Sequence, residues 1–429
     1  MRNHVSARHL GTPELGLILA LGVFVSPASQ ALAADPNPPS KPGLALVEAQ
    51  PSPARPTGWR GDGTGQYPLA QPPTQWADGQ NVRWKSEVGA GQSSPIVVGN
   101  RVVIASEPDL LICLDAETGR ELWRKSHPLS AYSPEAVAKG ARHSSQYGDA
   151  TPTPVSDGRW VWNFFGIGVV ACHGLDGSDR WAQWYDLRQT TPYGRTASPV
   201  LVGDRLLVHF GPLVCLEAAT GKVLWQNEQV KATYGTPAVA RLGGVDVVIA
   251  PKGQVVRVAD GRILAADLGN CMYTSPVVEN GVAYFMDGAM TALRLPGKAA
   301  DDLECQELWS GELTGEFFAS PLVEEGRIHL VDKTGQYYVV DGRTGKTMLS
   351  RKLEFSPAEG SGHASAYPSP CRAGGKLFVG NDAGEMIILE PGAAGRVVGR
   401  GSLPGGSGGT ATFKQGRIFV RGGKFLYCL

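Results

Sequence analysis

One long loop carries the residue types best suited to chemistry. Between Ser126 and Ala150 the chain reads "SHPLSAYSPEAVAKGARHSSQYGDA", which places His143, Gln146, Tyr147 and Asp149 close together in sequence. A carboxylate can orient an imidazole and raise its pKa, so His143 and Asp149 could form a general-base pair. Nothing in their spacing requires contact, and no hydrolase motif accompanies them. We therefore predict no catalytic residue, and catalysis by this pair is kept as a hypothesis.

Cysteines offer a second kind of chemistry, redox or metal binding. The seven are Cys113, Cys172, Cys215, Cys271, Cys305, Cys371 and Cys428. No pair has CxxC or zinc-finger spacing, and an odd count argues against a full disulfide framework. We predict no metal site and interpret most of the cysteines as small apolar core residues. A disulfide between Cys305 and another loop cysteine stays open.

Charge and composition exclude several partners. The 429 residues include 40 basic and 40 acidic side chains, without a block of like charge. Nucleic acids and anionic membrane surfaces are normally bound by a basic stripe, so neither partner is expected. The 56 glycines and 31 prolines argue against long helices.

The N-terminal region predicts export. Arg2 and Arg8 precede the apolar run Leu15 to Val25, and "ALA" ends at Ala33. This is the order of a secretory signal peptide, predicted at 1–33, with an uncleaved anchor as the alternative. A proline-rich linker (34–57) and a glycine-rich N-terminal extension (58–80) follow. The location expected is the periplasm or cell envelope, or the extracellular space, with no transmembrane segment in the mature chain.

From residue 81 onward the chain is periodic. Eight similar segments open with a small residue, usually followed by proline, and begin near Ser93, Thr151, Ala197, Gly235, Thr274, Ala319, Tyr367 and Gly409. Each contains two apolar runs around a hairpin turn, a third strand, and in all but the last a fourth. Four antiparallel strands at a spacing of roughly 40 residues are typical of a propeller blade.

The sequence of one turn recurs almost unchanged in several blades. "CLDAETGRELW" from Cys113 returns as "CLEAATGKVLW" from Cys215. Asp115 can accept hydrogen bonds from nearby backbone N–H groups, and Gly119 can adopt a positive φ. The large ring at the end of the motif is predicted to pack between blades, at Trp84, Trp123, Trp181, Trp225 and Trp309.

The two ends of the repeat region are complementary. The last unit stops at Leu429 after three strands, whereas 81–88 is an isolated strand containing Trp84. Pairing them would remove two open sheet edges. We predict an all-β fold at 81–429, an eight-bladed β-propeller of four-stranded antiparallel blades closed by the N-terminal strand.

Loops that lead into the first strand of each blade should surround the axis on one face. Their polar and aromatic residues are the candidates for binding a ligand or partner: His143, Gln146, Tyr147, Asp149, Tyr193, Arg195, Tyr234, Tyr273, Glu316, His363 and Tyr367. The alternative is a purely structural rim that fills a tapering funnel.

The repeated Asp or Glu, Thr-Gly and Leu-Trp pattern resembles the pyrroloquinoline quinone (PQQ)-like repeat propellers over residues 81–429, including BamB-like and uncharacterised exported bacterial members. The resemblance implies one of two functions. PQQ-dependent dehydrogenases of this group carry adjacent cysteines, a calcium site and an aspartate base, and this sequence has no adjacent cysteines and no acidic motif that matches.

The first function expected is therefore a non-catalytic binding or assembly scaffold without a cofactor. Its partner would be a protein or peptide of the cell envelope, or a small ligand at the axial channel. The alternative is a PQQ- and calcium-dependent quinoprotein dehydrogenase that oxidises an alcohol or sugar.

Overall fold

Eight sheets account for the fold in the computed structural model, which describes residues 51–138, 147–356, 364–392 and 394–429. Each sheet contains four antiparallel strands that follow one another in space and sequence, except where the N-terminal region joins. The predicted eight-bladed, all-β propeller is confirmed.

The strands of blades 1 to 4 are short. Blade 1 contains β4 (Ile96–Val98), β5 (Arg101–Ser106), β6 (Leu110–Asp115) and β7 (Glu121–Ser126); blade 2 contains β8 (Val155–Ser156), β9 (Trp160–Phe164), β10 (Val169–Gly174) and β11 (Asp179–Trp184). Blade 3 contains β12 (Val200–Val202), β13 (Arg205–His209), β14 (Leu213–Glu217) and β15 (Val223–Asn227); blade 4 contains β16 (Ala238–Leu242), β17 (Val245–Ile249), β18 (Val255–Arg257) and β19 (Ile263–Ala265).

Blades 5 to 8 repeat this plan. Blade 5 contains β20 (Val277–Glu279), β21 (Val282–Asp287), β22 (Ala289–Arg294) and β23 (Gln306–Glu312); blade 6 contains β24 (Leu322–Glu324), β25 (Arg327–Val331), β26 (Gln336–Asp341) and β27 (Thr347–Lys352). Blade 7 contains β28 (Cys371–Ala373), β29 (Lys376–Gly380), β30 (Glu385–Leu389) and β31 (Val397–Ser402); blade 8 contains β32 (Thr412–Lys414), β33 (Arg417–Gly422), β34 (Phe425–Cys428) and β3 (Trp84–Glu87).

Helical structure in the described residues is confined to one insertion, between blades 1 and 2. It contains a 3-10 turn at Leu129–Ala131 and the helix α1 at Pro134–Ala138. No helix in the described part of the chain is long and apolar enough to cross a membrane.

The ring closes through the N-terminal strand. β3 pairs antiparallel with β34, and Trp84 lies opposite Cys428. The predicted closure is therefore confirmed. It supplies blade 8 with its fourth strand and covers two edges that would otherwise be open.

Residues before β3 are also bound to the propeller. β1 (Gln66–Tyr67) pairs in parallel with β28, and β2 (Gln75–Trp76) pairs in parallel with β31, so the sheet of blade 7 has six strands. Thr57 forms a bridge with Ser156 of blade 2. The end of the predicted linker and the glycine-rich extension are thus held against the blades, which the sequence did not predict.

The repeated turn joins each blade to the next. Each indole Nε1–H donates to a backbone carbonyl of the following blade at 2.9–3.0 Å: Trp84 to Ala116, Trp123 to Leu175, Trp181 to Ala218, Trp225 to Val258 and Trp309 to Gly342. The turn glycine of that following blade lies against the same indole, as Gly119 does on Trp84. The motif recurs because one blade's glycine turn and its neighbour's tryptophan form a single contact.

The cysteines of this motif lie opposite the tryptophans. Cys113 pairs across the strands with Trp123, and Cys215 with Trp225. All seven cysteines are free thiols, so the open disulfide at Cys305 does not form. Burial disfavours the thiolate and raises the pKa of Cys113 and Cys215 to about 12. These side chains are small apolar partners of a large ring.

The core lies between blades rather than at one centre. Val102 and Ile104 of blade 1, for example, pack with Phe419 and Leu426 of blade 8 in one buried cluster. Both faces of a blade are therefore apolar, which explains the nearly continuous burial of the second and third strands.

Candidate functional site: the axial mouth

A closed ring of hydrogen bonds surrounds the axis where the first strands begin. In each blade, the Ser or Thr at the opening uses its side-chain oxygen to accept the N–H of the equivalent residue in the preceding blade, at 2.9–3.2 Å. The members in order are Ser94, Thr153, Ser198, Thr236, Ser275, Ser320, Ser369 and Thr410, which returns to Ser94. This hydroxyl ring fixes the spacing of all eight blades and satisfies buried N–H groups.

Six aromatic residues form a second ring beside it. Neighbouring ring centroids are 4.6–6.3 Å apart, and the contacts run from Tyr147 through Tyr193, Tyr234, Tyr273, Phe318 and Tyr367 back to Tyr147. We call this set the aromatic circle. All five predicted rim tyrosines belong to this circle, so the structure brings together side chains from residues 147 to 367.

The aromatic circle is only partly covered. Tyr147 and Tyr193 are 37% and 41% exposed, whereas Tyr234, Tyr273 and Phe318 are half-buried. The planes of Tyr147 and Tyr193 stand at 83° to one another. The open part of the circle is therefore the pair contributed by the loops before blades 2 and 3.

Phe318 was missed in the sequence, although a signal was present. It lies two residues before Ser320 of the hydroxyl ring, as Tyr273 precedes Ser275 and Tyr367 precedes Ser369. Blades 1 and 8 have Gln92 and Gly408 at this position, and the Gly408 N–H donates to the Gln92 side chain. A search for an aromatic residue two positions before each Ser or Thr of the hydroxyl ring would have found Phe318 in the sequence.

Arg195 was predicted at the rim, but its side chain points into the structure beneath it. It is 5% exposed, and its guanidinium donates to the carbonyls of Phe210 and Gly166 at 2.8 Å and to that of Leu187. Burial lowers the pKa of Arg195 to about 10, opposed by the nearby carboxylate of Asp149. Arg195 thus holds loops together and is not available to an anionic ligand.

The two predicted acidic residues also make structural contacts, Asp149 through its backbone and Glu316 through its carboxylate. The backbone N–H of Asp149 donates to Glu107 at 2.9 Å, which fixes the end of the long insertion. Glu316 forms an ion pair with Lys333, and both side chains are substantially exposed. Of the remaining candidates, His143, Gln146 and His363 lie outside the described residues, so the general-base hypothesis for His143 stays a prediction.

The N-terminal extension lies across the axis. Thr57 is bridged to blade 2, and three residues later Arg60 donates to the carbonyl of Pro321 in blade 6 at 2.9 Å and of Pro370 in blade 7 at 2.8 Å. Blades 2 and 6 are opposite one another in a ring of eight. Arg60 is 1% exposed and its pKa is lowered by burial.

The residues around the axis bear on the PQQ and calcium alternative. In the described residues no group of three His, Cys, Asp or Glu side chains could hold a metal ion. The chain from Thr57 to Tyr67 takes up space between the inner strands, where Gln66 donates to the carbonyl of Val323. The residues present therefore give no support to the dehydrogenase alternative.

Comparison with known protein families adds an independent observation. The family model described as outer membrane protein assembly factor BamB matches residues 74–295 and 299–429, most of the chain. The chain belongs to this family. Residues 51–73, including Arg60, lie before the matched region.

Individual relatives agree with this assignment. BamB of Moranella endobia is 29% identical over 276 residues, which are 59% of this chain and 65% of that protein. BamB of Yersinia pestis is 25% identical over 303 residues, or 62% of this chain and 70% of that protein. The chain thus covers slightly less than two thirds of the length of the Moranella relative.

Solved structures show the same fold. The crystal structure of BamB from Moraxella catarrhalis aligns with a TM-score of 0.53 at 13% identity, over 80% of this chain and 97% of that one. The computationally designed protein Ika8 gives the same TM-score at 14% identity, over 80% of this chain and 98% of that one. At such identities the likeness concerns the fold alone.

Proposed function

We propose that this protein is an exported, non-catalytic scaffold of the periplasm or cell envelope that binds a protein partner at the axial mouth. The observation that carries the proposal is the aromatic circle, which joins six blades and leaves Tyr147 and Tyr193 exposed. Rigid blades hold these rings in place, so little side-chain entropy is lost on binding.

Membership of the BamB family supports an assembly role over catalysis. The relatives are named for assembly of outer membrane proteins, and we propose a related task for this chain. The signal-like N-terminus supports export, which the N-terminal sequence of protein purified from the native host tests directly. Cleavage after Ala33 would give a mature chain that begins at Ala34.

Site-specific crosslinking in the native host tests the binding role. A photoreactive phenylalanine analogue at Tyr193 should give discrete adducts with an envelope protein. The same analogue at Met348, which is 47% exposed on the outer strand β27 of blade 6, serves as the control. Equal adduct patterns at both positions, or none at Tyr193 with an intact fold, would refute binding at the mouth.

A cofactor titration tests the alternative. The purified protein is mixed with PQQ and calcium while tryptophan fluorescence and quinone absorbance are recorded. We expect no saturable signal, because Arg60 and its neighbours occupy the axis. Calcium-dependent binding of PQQ at micromolar concentration would instead favour the dehydrogenase function over the scaffold function.

A further inference from the structure

The exposed part of the aromatic circle is a pair of rings that do not stack on one another. Tyr147 and Tyr193 are nearly perpendicular, with centroids 6.3 Å apart, so the edge of one ring faces the plane of the other. Tyr193 stacks on Tyr234 at 5.9 Å, and the exposed fractions of 37% for Tyr147 and 41% for Tyr193 show that solvent still reaches both side chains. The face of an aromatic ring is electron-rich and attracts cations within about 6 Å of its centre.

Two carboxylates lie near other members of the circle. Asp287 accepts the backbone N–H of Tyr273 at 3.0 Å, so its negative charge is fixed beside that ring. Asp382 accepts the N–H of Ser365 at 2.7 Å, two residues before Tyr367. Burial is the main cause that raises the pKa of Tyr273 and of Tyr367, and the negative charges of Asp287 and Asp382, respectively, add to it.

Two cations near the circle, among the residues that the structure describes, are already engaged. Lys333 is paired with Glu316, which makes that pair neutral overall. Arg195 is buried and surrounded by backbone carbonyl oxygens. In the described part of the mouth, the π faces and the carboxylates of Asp287 and Asp382 therefore favour a positive group over an anion.

We propose that the aromatic circle binds an arginine side chain of a protein partner, with its guanidinium against Tyr147 and Tyr193. The inference rests on the proposed binding function and adds the chemistry of the ligand. Arginine is preferred to lysine because its planar, weakly hydrated guanidinium stacks on aromatic faces while its N–H groups remain free to reach hydroxyl oxygens. An arginine that projects from a partner's surface would be bound by the open pair without displacing the rest of the circle.

The test uses two small probes of the same shape. N-acetyl-arginine methylamide carries the guanidinium, and its citrulline counterpart replaces it with an uncharged urea. The purified protein is titrated with each at low ionic strength, and binding is followed by NMR of the probe. We expect saturable binding of the arginine probe. The citrulline probe should bind with an affinity about fivefold lower, the ratio expected of a cation–π contact.

Variants locate the site. Tyr193→Leu should lose most of the arginine-over-citrulline preference, whereas Tyr193→Phe, which keeps the π face, should retain it. Met348→Ala is the matched control on the outer strand and should behave as wild type. Circular dichroism and urea unfolding of each variant establish that it is folded.

The outcomes separate this inference from the proposed function. Equal binding of the two probes, or arginine binding unchanged in Tyr193→Leu, would overturn the arginine site while leaving a partner at the mouth to be judged by crosslinking. Binding of neither probe would also overturn it. Selective arginine binding without any crosslinked partner at Tyr193 would support the arginine site. It would at the same time refute the scaffold function.

Discussion

Gly119 of blade 1 lies directly against the indole of Trp84, the first residue of the strand that closes blade 8. A Cβ atom on Gly119 would come within 2.6 Å of the indole carbons, and the residue has a φ of +71°. Because Trp84 also donates to the carbonyl of Ala116, one turn holds the closing strand by both a hydrogen bond and a close packing contact. Ring closure therefore depends on the motif that repeats around the whole propeller.

The first prediction concerns this contact. Gly119→Ala should reduce the free energy of unfolding by about 2–4 kcal/mol, because it adds a clash with Trp84 to the backbone cost of a positive φ. Gly99→Ala is the matched control: its φ is +58°, but nothing lies within 4 Å of the added carbon. It should cost only about 1–2 kcal/mol. Urea unfolding of both variants measures the difference, and equal losses would show that the indole contact is unimportant.

Much of this architecture is visible in the sequence. The sequence repeats eight openings, hairpin turns and tryptophan positions with similar spacing. They recur because each blade makes the same packing contacts with its neighbours. The route of Thr57 to Tyr67 could not be predicted, since a glycine-rich stretch without periodicity does not reveal its partners. Arg195 was placed at the rim because the sequence gives its position on a loop but not the direction of its side chain.

The second prediction concerns the hydroxyl ring. Ser275 is 2% exposed, and its Oγ accepts the N–H of Thr236 at 2.9 Å. Ser275→Ala removes this acceptor and leaves a buried donor unpaired, so the free energy of unfolding should fall by about 1–3 kcal/mol.

Ser275→Thr keeps the hydroxyl and is the conservative control, because threonine occupies the equivalent position at Thr153 and Thr410. It should lose less stability than Ser275→Ala. Both are compared by urea unfolding. A threonine variant as unstable as the alanine variant would mean that packing, not the hydrogen bond, matters at this position.

The third prediction concerns the segment across the axis. Arg60→Lys keeps the charge but cannot bridge the carbonyls of Pro321 and Pro370 with a planar fork. The free energy needed to open this segment should then fall by about 1–3 kcal/mol. Hydrogen exchange should accelerate at Gln66 and Tyr67 and remain unchanged in blade 3.

Arg55→Lys provides the control in the same segment, because Arg55 is exposed. Its exchange pattern should match wild type. If Arg60→Lys also left exchange at β1 unaltered, the buried guanidinium would not be what secures the extension.

The fourth prediction is a pH dependence. His209 is 2% exposed on β13, and its Nε2–H donates to the carbonyl of Val230 at 3.1 Å. Burial disfavours the imidazolium and lowers the pKa of His209 to about 4, from 6.5 in the unfolded chain. Between these values the unfolded chain binds a proton that the folded protein does not. The contribution of His209 to stability is therefore complete above pH 6.5 and declines as the pH falls towards 4, by about 2 kcal/mol at pH 5.

His209→Gln isolates this effect, since its side-chain amide extends to the position of Nε2 and can donate to Val230 but does not titrate. Urea unfolding at pH 7.5 and pH 5.0 should show that wild type loses about 2 kcal/mol more than the variant over this interval, while the other titrating groups contribute equally to both. His127 and His329 have pKa values lowered to about 4 by the same cause, so the variant should still lose some stability in acid. Identical pH dependence in the two proteins would mean that His209 is protonated, or hydrated, in the folded state.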